Sequence, residues 1–366
     1  MNSVNVDTSC LYGFSLDLLD IAACANTNLS QLSPLISFPP GTSEIGGGLA
    51  SSFDRFAEEY NRCAHNDFAA IEVLGNDLST VAALFRSSDR NNATHIAAAG
   101  EISASDDSPG LTRYGGLQFP TLNSSIDTQC SIQELIESTI TTLTPYDKGL
   151  ATTLGVNPTV EYLAPFLADW ELLDEVGARI ERLGINDFVT AQNLTSGADW
   201  LRSQWSGTAA TSFIAKLLEL SNSSSERSIY MEATSKIVCA AGKYLEQLAR
   251  NQAADLIERV LQTINHDIFE FPLGAWAGDT GVPLPTELEV QITAETAALQ
   301  QAASGRRGTL LTLAEAISEA LDYYPTRTPP TYNPAEFDIP TAITVDPGNR
   351  RYGIAETVWW TESIHT

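Results

Sequence analysis

Along the first hundred residues apolar side chains recur every three or four positions. Leu11, Phe14, Leu18, Ile21, Ala25, Leu29 and Leu32 fall on one helical face. Asp7 or Ser9 suits the N-cap. Pro34, Pro39, Pro40 and Gly41 are expected to end this helix, and Gly46-Gly47-Gly48 to complete a flexible turn. A second arm follows, with Phe53, Phe56, Tyr60, Ala64, Phe68, Ile71, Leu74, Leu78, Val81 and Phe85 in one stripe of about nine turns. Residues 1–100 thus read as a helical hairpin. Two antiparallel arms cover each other's stripes only in part, so a further helical partner is expected.

Residues 101–157 change character. Ser103 to Thr121 is rich in Ser, Asp, Gly and Pro and reads as a linker, while Ile132, Leu135, Ile136 and Ile140 predict a short docked helix. A second hairpin is expected over 158–271. Its first arm carries Phe166, Trp170, Leu173, Gly177 and Ile180, and resumes from Asp187 to Leu201 after a kink or break at Gly184 and Asn186. The chain turns at Ser203 to Gly207. The return arm runs through Phe213, Leu217, Leu220, Tyr230, Ile237, Ala241, Tyr244, Leu248, Leu256, Val260 and Ile264, with polar Ser221 to Ser225 inside one continuous helix.

Over 272–324 two shorter helices are expected, Thr286 to Gln301 and Leu310 to Tyr323, divided by Gly305-Arg306-Arg307-Gly308. The prolines of 325–366 preclude regular helix, yet Tyr332, Phe337, Ile339, Val345, Trp359 and Trp360 are too apolar for a free tail, so an extended strap is expected on the helices. No strand-rich segment is apparent. The class is all-α: two helical-hairpin bundle units, a Ser/Pro/Gly-rich linker and an extended C-terminal strap.

Charge narrows the function. With 46 acids against 20 bases the net charge is −26, and no basic stripe interrupts it. Such a chain repels nucleic acid and anionic headgroups, which excludes a nucleic-acid binder. Met1 to Leu19 holds Asp7 and Asp17 and no base, the wrong charge for a cleavable signal peptide. No run reaches the roughly 18–20 apolar residues expected of a transmembrane segment. A chain made in the cytoplasm without a cleaved leader is therefore expected. The five cysteines are scattered without a CxxC pair and read as buried thiols, with a bridge from Cys10 or Cys24 to Cys63 left open. His65, His95, His266 and His365 are isolated, and His266-Asp267 with Glu270 supplies too few ligands for a metal. Neither a GxSxG elbow, a Cys/His nucleophile signature nor a GK[ST] phosphate loop occurs. No catalytic residue, metal or cofactor is expected.

One constellation carries a specific meaning. Trp205-Ser206-Gly207 lies between two long amphipathic arms, where glycine frees the backbone and tryptophan plugs the bundle end. The run Trp205-Ser206-Gly207-Thr208-Ala209-Ala210-Thr211-Ser212-Phe213 resembles the turn of the WXG family of actinobacterial type VII (ESX) secretion substrates. Trp170 resembles the first-arm tryptophan of related PPE-type and toxin-leader domains. That family's YxxxD/E signal would align on Tyr244, 39 residues after Trp205, but its fourth follower is Leu248. The first hundred residues resemble the small ESX secretion-associated hairpin proteins, through Val6-Asp7, the Pro/Gly turn and Phe85-Arg86-Ser87-Ser88-Asp89, in which Phe85 and Asp89 stand where the family has Tyr and an acid.

The resemblance implies a non-enzymatic type VII substrate or secretion-associated interaction protein, secreted or on the cell surface. Its implied partners are a small WXG-type helical protein or secretion chaperone and the secretion ATPase. Trp205, Gly207, Phe85, Asp89 and Tyr244 are the implied recognition residues. Internal pairing of the two hairpins would replace the external partner. The alternatives are the trafficking portion of a toxin system with a small C-terminal effector, or a cytoplasmic helical adaptor.

Overall fold

The computed structural model describes residues 6–39, 43–100, 111–122, 131–267, 269–278 and 284–344. Asp7 starts the first helix, α1 (Thr8–Leu32): its carboxylate accepts from the main-chain N–H of Ser9 at 2.9 Å and of Cys10 at 3.3 Å. Ser33–Leu35 tightens the exit into a 3-10 turn around Pro34. The long α2 (Glu44–Gly100) follows, then α3 (Ile132–Leu154), α4 (Leu172–Gln204) and α5 (Thr208–Leu261). Beyond them lie a two-stranded antiparallel hairpin, β1 (Thr263–His266) with β2 (Phe269–Pro272), a single turn α6 (Leu273–Trp276), and α7 (Thr286–Ala320). The fold is all-α.

Helices α1, α2, α4 and α5 pack side by side. Helix α1 runs antiparallel to α4: Asp7 meets Gln204, the Phe14 ring packs tilted against Trp200 at 5.9 Å, Asn28 meets Asn186, and the Leu35 carbonyl meets Arg179. Contacts of α2 with α4 and α5 cluster around Tyr60 and Asp67. The expected apolar stripes fill the interior, with Leu11, Phe14, Phe53, Phe68, Leu173 and Leu217 each fully buried. One continuous hydrophobic cluster runs through both hairpins and α3 and α7, so the hairpins are not separate units. Helix α7 lies antiparallel along the second half of α5, where the Tyr230 hydroxyl donates to the Ala320 carbonyl and Arg306 pairs with Asp255 at 2.8 Å.

Several boundaries differ from the sequence reading, each for a physical reason. Gly46-Gly47-Gly48 belongs to the first turns of α2, because Ser43 caps that helix by accepting from the Gly46 N–H at 3.1 Å. No break occurs at Gly184 and Asn186, and α4 runs through both as one helix. Glycine at 184 instead admits α5, since a Cβ there would lie 3.0 Å from that of Met231. Helix α4 begins only at Leu172; Phe166 and Trp170 sit in the π and 3-10 turns and the bend before it. Helix α3 extends to Leu154, capped at its start by Glu171, which accepts from the N–H groups of Ser131 and Ile132, both at 2.9 Å.

Gly305 and Gly308 do not divide α7. Arg306 on Asp255 and Arg307 on Glu161 anchor its middle to α5 and the turn before α4. Residues 263–272 form a strand hairpin instead of a helix end, and Ile264, expected in the helix, is the second residue of its first strand. Cys10, Cys24, Cys63 and Cys239 are free thiols, so neither bridge to Cys63 forms, and Cys130 lies outside the described residues. The strap holds as far as it is described: Tyr332 stacks on Phe337 at 5.6 Å, and Asn251 grips the main chain of Thr341 and Ile343. Val345, Trp359 and Trp360 lie outside the described residues. Two helices, Thr8–Leu35 and Glu44–His95, do have the length and apolar content to cross a membrane, a composition that buried core helices share. The first keeps most of that stretch inside the bundle and the second leaves most of it uncovered.

Candidate interaction site at the turn end of the bundle

The α4–α5 turn is built by two residues with opposite backbone demands. Trp205 closes α4 in an extended conformation, its N–H still donating to the Leu201 carbonyl at 2.9 Å. Gly207 takes φ 112° and ψ 178°, a region that only glycine enters without strain. Its carbonyl then accepts from the N–H of Thr211 at 3.0 Å and opens α5. The Trp205 ring is buried, with its centroid 5.8 Å from Phe213. Val6 pairs with Trp205 as an isolated antiparallel bridge, and the Asp7 N–H donates to the Gln204 carbonyl at 3.0 Å. The residues leading into α1 are thereby stitched to the turn. Beside it a groove of about 400 Å³ opens between Arg202, Ser206, Ala210, Thr211, Ile214 and Leu218.

The far part of α2 reaches the same end. The Arg86 guanidinium lies 5.2 Å over the ring of Tyr12, in the opening turns of α1. Phe85 packs half-buried against the core, while Asp89 is exposed. From Ser87 to His95 every side chain is exposed, so α2 continues beyond the bundle as a projecting helix. Trp205, Gly207, Phe85 and Asp89 thus share one end. Tyr244 does not. It lies about 54 Å along α5 from the start of that helix at 1.5 Å per residue, half-buried beside Lys243, which pairs with Asp174. Leu248 is buried, so the missing acid position faces the core. Trp170 also belongs to the opposite end. Its indole N–H donates to the Phe166 carbonyl at 3.0 Å, and its ring stacks on Phe38 at 5.9 Å.

Sequence reasoning missed the centre of the bundle. Arg227 of α5 is buried, and its Nε and Nη2 donate to the two oxygens of Asp187 on α4 at 2.9 and 2.8 Å. Its Nη1 reaches Asp67 of α2 at 2.6 Å. The Tyr60 hydroxyl donates to Asp187 at 2.9 Å, and Ser223 to Asp67 at 2.8 Å. Burial pushes the Asp187 carboxyl up, with Arg227 opposing it. Burial also works against the charge on Arg227, yet Asp187 outweighs it and holds the guanidinium well above its ordinary value. This network joins the hairpins across three helices. Arg227 lies two residues after the polar Ser221 to Ser225 stretch, and no local pattern marks it as buried. Above the network lies an open cleft of about 1010 Å³, walled by Tyr230, Tyr323 and the segment around Thr326, which holds a left-handed φ of 73°.

Among the described residues no group of three or more His, Cys, Asp and Glu side chains could hold a metal. His266 and Asp267 sit at the tip of the strand hairpin, 3.7 Å apart. Comparison with family models, with curated proteins and with solved structures finds no match for this chain.

Proposed function

We propose that this chain is a non-enzymatic interaction protein of the type VII (ESX) secretion class, a substrate or secretion-associated protein whose two hairpins replace the usual pair of separate chains. The observation that supports it is the shared bundle end. The Trp205–Gly207 turn belongs to one hairpin and the Phe85–Asp89 segment to the other, and α1 links them through Asp7 on Gln204 and Tyr12 under Arg86. Each hairpin carries the half of a bipartite signal that the other lacks. The projecting α2 end and the groove beside Trp205 give a small helical partner, a chaperone or the secretion ATPase both polar and apolar surface to contact.

Export tests this reading. In an actinobacterial host the chain is expected in the culture supernatant when the secretion ATPase works, and confined to the cells when it is inactivated. Asp89→Ala, at an exposed position, should lower the exported fraction while leaving the melting temperature within about 1 °C, because surface substitutions change stability by less than about 0.5 kcal/mol. A chain retained in both hosts would favour the adaptor reading and remove the secretion assignment.

A further inference from the structure

Residues 111–122 lie as a strap, with one turn at Gly115 and Gly116, over the groove between α1 and α4, held largely by groups that read main chain. Asp17 of α1 is fully buried, and both of its oxygens accept from the strap: one from the Arg113 Nε at 2.6 Å, the other from the Tyr114 N–H at 2.8 Å. Asp20 takes the other end of the same guanidinium. Asn193 of α4 is buried and makes a reciprocal pair with Gln118, accepting from its N–H at 2.9 Å and donating to its carbonyl at 2.8 Å. Asn28 reaches the Pro120 carbonyl at 3.4 Å. Glycine at 13 lets the strap come this close, since a Cβ there would stand 1.9 Å from the Thr112 carbonyl oxygen.

The apolar contribution of the strap is confined to Tyr114, Leu117 and Leu122, which pack half-buried against the core. Leu111 is 51% and Phe119 48% exposed, while Tyr114 alone of its large side chains meets an aromatic, the Trp200 ring at 5.8 Å. A segment added only to cover the core would bury Leu111 and Phe119 as well and spare the helices a sunken carboxylate. Here the helices supply the buried polar groups, and the segment supplies backbone, one arginine, one aromatic ring and two half-buried leucines. That division is the one found where an extended peptide is bound as a ligand, with main-chain bonds giving affinity and a few side chains giving selectivity.

We infer that the α1–α4 groove is a recognition site for an extended segment of a partner protein bearing an arginine followed by an aromatic residue, and that residues 111–122 occupy it as an internal competitor. Asp17 and Asp20 select the arginine, Trp200 the aromatic ring, and Asn193 and Asn28 the backbone. Because the strap is tethered on both sides, it competes at an effective concentration on the order of mM. An incoming segment must outbid that concentration or find the strap weakened. This inference is independent of export.

The probe is a fluorescein-labelled synthetic peptide of residues 111–122, titrated onto the full chain. Arg113→Ala with Tyr114→Ala in the chain should tighten its binding about tenfold or more over the unaltered protein, by weakening the internal competitor. Adding Asp17→Asn to that chain, or placing alanine at the arginine of the peptide, should abolish the gain. A strap-weakened chain with unchanged helical circular dichroism that binds no tighter, or that binds the alanine peptide equally well, would overturn the proposal. If that chain does not fold, hydrogen exchange in the unaltered protein decides. Excess peptide should speed exchange of the Tyr114 amide, which donates to Asp17, and an unchanged rate would refute competition for the groove.

Discussion

Arg227→Ala is expected to destabilise the protein by about 3–5 kcal/mol, the cost of leaving a buried charge without its partner. The loss is large because one guanidinium serves two carboxylates on two helices. Without it Asp187, which is fully buried, and Asp67 face each other across the α2–α4–α5 junction. Tyr60→Phe removes one hydroxyl donor to Asp187 and should cost less, about 1.5–3 kcal/mol, as expected for a hydrogen bond to a charged group. Urea unfolding followed by circular dichroism measures both. An Arg227→Ala midpoint equal to that of the unaltered chain would show that the network does not bind the hairpins.

Trp205→Ala should cost about 3–5 kcal/mol, the usual loss for emptying a buried tryptophan site. The buried ring leans on Phe213, and its main chain pairs with Val6, so the variant should loosen both the turn and the start of α1. Trp205→Phe keeps the apolar contact and should restore most of the melting temperature. Export separates structure from recognition: if the indole itself is read by the secretion machinery, the Phe variant melts near normal and stays in the cell. A Trp205→Ala chain with unchanged melting temperature would contradict the packing role.

Much of this architecture was legible because period and packing agree. The stripes from Leu11 to Leu32 and from Phe53 to Phe85 appear as buried helix faces, and Asp7 caps where its side-chain chemistry suggests. The turn at Trp205 and Gly207 was also legible, because its backbone demand falls on a glycine. Glycines misled elsewhere. Gly46 to Gly48, Gly184, Gly305 and Gly308 all read as breaks, yet Ser43, the approach of Met231 and the ion pairs of Arg306 and Arg307 keep those helices intact. A local cap at Ser43 and tertiary contacts at the other three glycines overrode a modest local penalty.

The buried network was not legible at all. Tyr60 counts as an ordinary member of a stripe, and Asp67, Asp187 and Arg227 as ordinary charges in an acidic chain. Only their convergence from helices 120 or more positions apart in the case of α2 and α4 makes them a unit. The strap was hidden for a related reason. Its Ser/Gly/Pro composition signals a linker, whereas its fixed course depends on Asp17 and Asn193, which lie on helices and look solvent-facing.

The central claim is that the two hairpins form one internally paired bundle, and splitting the chain tests it most directly. Residues 1–122 and 131–366, co-expressed as separate polypeptides, should co-purify as an equimolar complex, and Arg227→Ala should weaken it. Two fragments that each fold with native helical content and pass through size exclusion as independent species would contradict internal pairing.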